Sequence, residues 1–227
     1  MDCKHFGICG PCGLYAIDYQ EQLAKKEARV SGLLAPFYRE SLTLFNSPSD
    51  HYRARSEFRI WHDGDNTDYA MGNMEKKGAV TISECPKVIY PIEKRMWRLL
   101  EEINSSTILK QRLFAVEFLA TTTDECLITL LYHRKLDAEW EAKAKELETL
   151  LDAKILGRSR KQKLILSDEF VIEKLNIDGR EYQYKYYESG FTQPNPVANI
   201  KMIEWAIAQI KTIGDGVESR GDRKSVV

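Results

Sequence analysis

The stretch His51-Tyr52-Arg53-Ala54-Arg55-Ser56-Glu57-Phe58-Arg59-Ile60-Trp61-His62 alternates strictly. Ala54, Ser56, Phe58 and Ile60 fall on one side; Arg53, Arg55, Glu57, Arg59 and Trp61 fall on the other. A period of two predicts a strand with one packed face and one highly charged face. Asp63-Gly64-Asp65-Asn66 is a turn, and residues 69–74 predict the return strand.

The chain on either side supplies what such a sheet packs against. Residues 89–104 place Ile92, Met96, Leu99, Leu100 and Ile103 on one side of a helix, and 136–151 form an amphipathic helix. Residues 112–122 and 126–134 are apolar alternating runs joined by a short turn, hence a hairpin. Residues 181–188 read as a polar-aromatic strand. Residues 19–34 and 195–211 read as a first and a last helix, the latter with Asn195 as N-cap and Pro196 at its first position. Hairpins mixed with isolated helices predict an α+β fold, an antiparallel sheet with flanking helices, rather than a wound parallel sheet.

With 33 basic and 34 acidic residues, a net charge of -1, the 227-residue chain has no global attraction to nucleic acid. Phosphate binding must come from local patches. No apolar run is long enough for a bilayer, and the N-terminus lacks a secretory pattern, so no membrane partner is expected. Five cysteines, three of them crowded into one loop, do not suit a secreted disulfide framework and point to the reducing cytoplasm.

That loop is Cys3-Lys4-His5-Phe6-Gly7-Ile8-Cys9-Gly10-Pro11-Cys12. With Cys85, followed by Pro86, it offers four thiolates to one metal centre. A 4Fe-4S cluster, a closed zinc site and a set of unrelated thiols all remain open from the grouping. Cys126 lies in an apolar strand and reads as a core residue, with a reserve claim to be the fourth ligand.

Arg53, Arg55 and Arg59, with Glu57 between them, suit phosphate and base edges, and equally a solvated strand face. Arg158 and Lys161, in a basic stretch over 156–166, extend that surface or are ordinary solvent contacts. Phe114 and His133 fall on one face of the second hairpin, as rings for stacking on unpaired bases or as a packed Phe and a structural His.

Several motifs then carry a resemblance. His51 to Gly64, Leu130-Leu131-Tyr132-His133-Arg134-Lys135-Leu136-Asp137 with Glu139-Trp140, Ile155-Leu156-Gly157-Arg158, and Phe191-Thr192-Gln193-Pro194-Asn195 occur in order. They resemble the tRNA (uracil-5-)-methyltransferase family, from the first helix to about Lys211. The cysteine loop is similar to that of the related ribosomal RNA uridine C5-methyltransferases, which favours a four-iron cluster over zinc. The resemblance implies flipping of a T-loop uridine, addition of a cysteine thiolate to C6, and methyl transfer from S-adenosylmethionine to C5. It implies tRNA through its T-arm as partner, other structured RNA being possible substrates, and a monomer. By the same resemblance Glu57 and Arg59 face RNA, Phe114 and His133 meet T-loop bases, and Gln193 lies beside S-adenosylmethionine. The alternative is a stand-alone iron–sulfur or zinc RNA-binding module without catalysis.

The domains expected are an iron–sulfur loop (1–14), a helix packing on the catalytic domain (15–46), a central RNA-binding domain (47–190) and the start of a Rossmann-like methyltransferase domain (191–215). The Gly-rich cofactor loop, nucleophile and base of that last domain do not occur in the chain, so an inactive N-terminal fragment is expected. The helices at 19–34 and 195–211 are then orphans with open apolar faces. Asp222-Arg223-Lys224-Ser225-Val226-Val227 is similar to a translated sequencing adapter, and 216–227 are expected to be a non-native tail.

Overall fold

Strand β1 (Arg55–Asp63) buries Ser56, Phe58 and Ile60 and exposes Glu57, Arg59 and Trp61, as a period of two requires. The computed structural model describes residues 1–14 and 17–219, with side chains as far as 212. β1 starts later than the alternation because Arg53 is held elsewhere: its N–H donates to Lys87 O at 2.9 Å and its carbonyl accepts from Ile89 N–H at 3.0 Å. A tight turn, with Gly64 at φ 56°, returns the chain into β2 (Asn66–Gly72). β3 (Ala79–Thr81) extends that edge. β4 (Leu113–Ala120) pairs antiparallel with β1 and forms the expected hairpin with β5 (Cys126–Tyr132).

The sheet is antiparallel with flanking helices, as expected, apart from one pairing. After helix α4 (Ala138–Leu151) the chain enters β6 (Lys154–Ser159), which lies parallel to β5. A parallel neighbour requires a crossover, and α4 supplies it. β7 (Gln162–Ile165) returns antiparallel, so the basic stretch is itself a hairpin, with Lys161 at φ 86° in its turn. The full order is β3-β2-β1-β4-β5-β6-β7.

Helices α2 (Tyr90–Ser105), α3 (Thr107–Lys110) and α4 cover one face. Phe58, Tyr69, Phe118 and Ile128 from the sheet meet Ile92, Met96, Leu99, Trp140 and Leu147 from the helices. Gly157 is part of this fit: a Cβ there would sit 2.6 Å from Leu136 Cδ1 and 2.8 Å from Trp140 Cζ2. Arg95 is buried within α2 and donates to Leu151 O and Asp152 O, both at 2.9 Å, and to Asp124 Oδ1 at 2.8 Å. It thereby joins α2, the end of α4 and the β4–β5 turn.

A second, smaller core lies on the opposite face. Leu119, Leu127 and Leu156 pack with Val171 and Tyr186 of a separate hairpin, β8 (Phe170–Ile177) and β9 (Arg180–Tyr187). Buried Glu173 of β8 accepts from Thr122 Oγ1 at 2.6 Å and from Thr122 N–H at 3.1 Å, tying the hairpin to the β4–β5 turn. This hairpin covers one part of the outer face and leaves Arg59, Phe114 and His133 exposed.

Helix α1 (Tyr19–Leu34), N-capped by Asp18, buries no residue. Leu33 is 68% exposed, and so is Ile210 of α5 (Pro196–Ser219). Both helices thus show the open apolar faces that the sequence predicts. α5 is longer than expected: the backbone of 216–219 continues it, and the rest of the proposed tail lies outside the described residues. Among the described residues no helix is long and apolar enough to cross a membrane.

Candidate nucleic-acid interface

Strand register aligns the outer-face residues into rows. Arg59 pairs with Ala115, Ala115 with Leu131, Leu131 with Arg158, and Arg158 with Lys163. Strands lie about 4.8 Å apart, which sets Arg59 roughly 14 Å from Arg158 across the row. Arg59 is exposed and its side chain makes no ion pair or hydrogen bond among the described residues, and the same holds for the Lys161 side chain at the β6–β7 turn. Arg158 Nη2 lies 2.9 Å from Glu188 Oε2, and Lys163 Nζ 3.3 Å from the same oxygen, although Glu188 is only 3% exposed. Hydrogen bonds donated to Glu169 and then Glu188 hold the Lys163 ammonium above its ordinary range.

A register shift between Leu113 and Ala115 makes a bulge at Phe114. The bulge turns the Phe114 ring outward, where it stacks on His133 with centroids 4.5 Å apart and planes at 21°. Phe114 remains 40% exposed. The pair borders a cleft of about 890 Å³ whose other walls include Leu131, Lys135, Arg158 and Lys161. Exposed flat rings beside uncommitted cations can accept an unstacked base and its phosphate.

The three arginines of the opening stretch do not act alike. Arg53 is half-buried and makes no ion pair among the described residues. Arg55 points into the fold, donating to Glu117, to Glu188 O and to Gly190 O. Only Arg59 stands open, next to Glu57 on the same face. Sequence reasoning passed over Trp61, which is 51% exposed on that face and extends the ring surface. Its place at the end of the alternating charged side was the signal for it.

Gln193 is exposed in the loop before α5, with no hydrogen bond among the described residues, so its amide is free to meet a ligand. Asn195 caps α5 as expected, accepting from Ala198 N–H at 3.0 Å.

The cysteine loop is docked on the far edge of the sheet. Gly10 N–H donates to Gly72 O at 2.8 Å and Met74 N–H to Ile8 O at 2.9 Å. Gly10 lies so close that a Cβ would come 2.7 Å from Asn73 O. Cys3, Cys9, Cys12 and Cys85 line one cavity of about 20 Å³. Burial, and then the neighbouring thiols, pushes Cys9 up to about 11, and burial likewise raises Cys3 and Cys85. The donor set suits a soft metal centre. Its spacing is looser than the expectation: among the described residues no group of three or more His, Cys, Asp or Glu side chains is placed to hold a metal ion. Cys126 lies elsewhere, 2% exposed in the main core, with burial pushing its thiol up to about 12.

Fold and surface define an α+β protein with an open basic and aromatic sheet face. Residues 18–218 match the family model described as tRNA (Uracil-5-)-methyltransferase. The chain belongs to that family. A Sulfurovum sp. (strain NBC37-1) protein named tRNA/tmRNA (uracil-C(5))-methyltransferase is 68% identical over 217 residues, covering 95% of this chain and 58% of the relative. Its namesake from Sulfurimonas denitrificans is 43% identical over 211 residues, covering 92% of this chain and 57% of that protein. The chain thus spans less than three fifths of the length of these curated relatives.

Proposed function

We propose that this chain is the RNA-gripping part of an enzyme that methylates uridine C5 in the T-loop of tRNA, with S-adenosylmethionine as methyl donor. The observation that carries the reading is the Phe114–His133 stack beside uncommitted Arg59 and Lys161 on one open sheet face. Rings for the splayed loop bases and cations for the flanking phosphates are what an RNA stem–loop requires. Gln193 is proposed to touch the methyl donor. The relatives' name also mentions tmRNA, and a T-loop-like hairpin in such an RNA suits the same surface.

The chain by itself is proposed to be inactive. Cys126, the first residue of β5, is sealed in the core, where a uridine ring cannot reach its thiol. The open faces of α1 and α5 are proposed to pack on a catalytic domain. Fused to the portion of the Sulfurovum relative that the match does not cover, the chain should restore 5-methyluridine to the tRNA T-loop in cells that lack it. A fusion that is folded and binds donor but methylates elsewhere would overturn the substrate assignment.

In the same reading the four thiols, which line one cavity, draw closer than the described geometry holds them and bind a 4Fe-4S cluster, with zinc as the alternative. The cluster, once bound, would cross-link the N-terminal loop to the sheet edge, and its binding would release protons from the ligating thiols. Anaerobically purified protein should be brown and contain about four irons and four sulfides per chain. A colourless preparation with one zinc, or with no metal, contradicts this.

A further inference from the structure

Arg55 belongs by sequence to the charged strand face, yet its guanidinium is committed inside the fold. Nε donates to Glu117 Oε1 at 2.6 Å, and Nη2 lies 2.5 Å from the same oxygen. Nη2 also donates to Glu188 O at 2.6 Å, and Nη1 donates to Gly190 O. One residue earlier, Ala54 N–H donates to Pro194 O at 2.7 Å. The carbonyls of Glu188, Gly190 and Pro194 are thus all fixed to the first residues of the RNA-facing strand.

Between those anchors lies the segment Phe191, Thr192 and Gln193. Phe191 is 84% exposed, and Gln193 is exposed too. Thr192 is 7% exposed, and its Oγ1 is buried without a hydrogen-bond partner among the described residues. Buried polar groups normally find partners, so an orphan hydroxyl here marks a segment shaped for contact with something further. Glu188, whose carbonyl Arg55 holds, also receives Arg158 from the basic cleft. One fork of N–H groups therefore sets the loop against both the strand and the cleft. Lysine carries the charge but cannot reach a carboxylate and two separate carbonyls from one point.

We propose that Arg55 is a positioning residue: it does not contact RNA, but fixes the Phe191–Gln193 loop, and with it the Gln193 amide, in register with the RNA-facing strand. The consequence for methyl transfer rests on the reading of Gln193 as a donor-binding residue; the clamp itself does not.

Amide hydrogen exchange and RNA binding on the intact 227-residue chain test the clamp. In Arg55→Met and in Arg55→Lys, the Ala54 and Gly190 amides should exchange about tenfold faster, while Val116 and Leu130 in the β4–β5 ladder stay protected. The salt dependence of binding to a T-arm stem–loop should keep the wild-type slope in both variants, whereas Arg59→Met should lower it by about one. Should Arg55→Met loosen the whole sheet, Arg55→Lys decides. Wild-type loop exchange in Arg55→Lys, a rise that is equal throughout the β4–β5 ladder in both variants, or an unchanged loop with a reduced salt slope overturns the proposal. The exchange measurements use neither RNA nor methyl donor, so their failure is distinct from a failure of the functional reading.

Discussion

Arg59 and Arg55 share a strand, a face and a charge, and differ in what surrounds them. Arg55 meets Glu117 and two carbonyls, while Arg59 meets none of these among the described residues. A cation held by its own fold has little left to offer a phosphate; an uncommitted one releases counterions when it binds. Replacing Arg59 with Met should therefore weaken binding to RNA hairpins of any sequence and reduce the log–log salt slope by about one. Titration at several salt concentrations measures this, and an unchanged slope removes Arg59 from the interface. Phe114 makes the complementary case. Its ring is exposed because a bulge turns it out, and His133 stacks on it. Pattern alone could not separate that outcome from a buried Phe, since the bulge breaks the alternation at that very residue.

At the scale of elements, the β5–α4–β6 crossover builds the basic wall of the cleft. Trp140 of α4 is fully buried against Gly157 of β6, so the helix lies as close as the missing side chain allows. Gly157→Ala should overpack that contact and lower stability by about 1–3 kcal/mol. Denaturant unfolding reads it, and a stability within error of wild type contradicts the packing argument. The crossover also marks where sequence reasoning stops. Alternation in the opening stretch was enough for β1, because period two has one structural solution when one face is apolar. The two helix–sheet layers followed from helical spacing in α2 and α4. The parallel pairing of β5 and β6 was illegible, because nothing in residues 154–159 says which neighbour they join. β8 was missed because Glu173 stands at one of its buried positions and breaks the apolar pattern. Arg95 hid inside an amphipathic helix for a similar reason: its partners Asp124 and Asp152 lie 29 and 57 residues away. The contacts of Arg55 were illegible for that reason too, since its acceptors come from Glu117 of β4 and from Glu188 and Gly190 just after β9.

The molecule as a whole presents two kinds of surface. α1 and α5 show apolar side chains that the described fold does not cover, while the sheet's outer face shows rings and cations around a cleft. On the proposed reading the first belongs to protein and the second to RNA. Net charge of -1 means that affinity must be focused in the cleft rather than spread over the surface. Affinity for a T-arm stem–loop against a fully paired duplex of the same stem, in wild type and in Phe114→Ala, tests this most directly. The account predicts that wild type prefers the stem–loop and that Phe114→Ala loses about 1–3 kcal/mol on the loop RNA alone, as one stacked base should contribute. Equal affinity for both RNAs, or an equal loss on both in the variant, would contradict it.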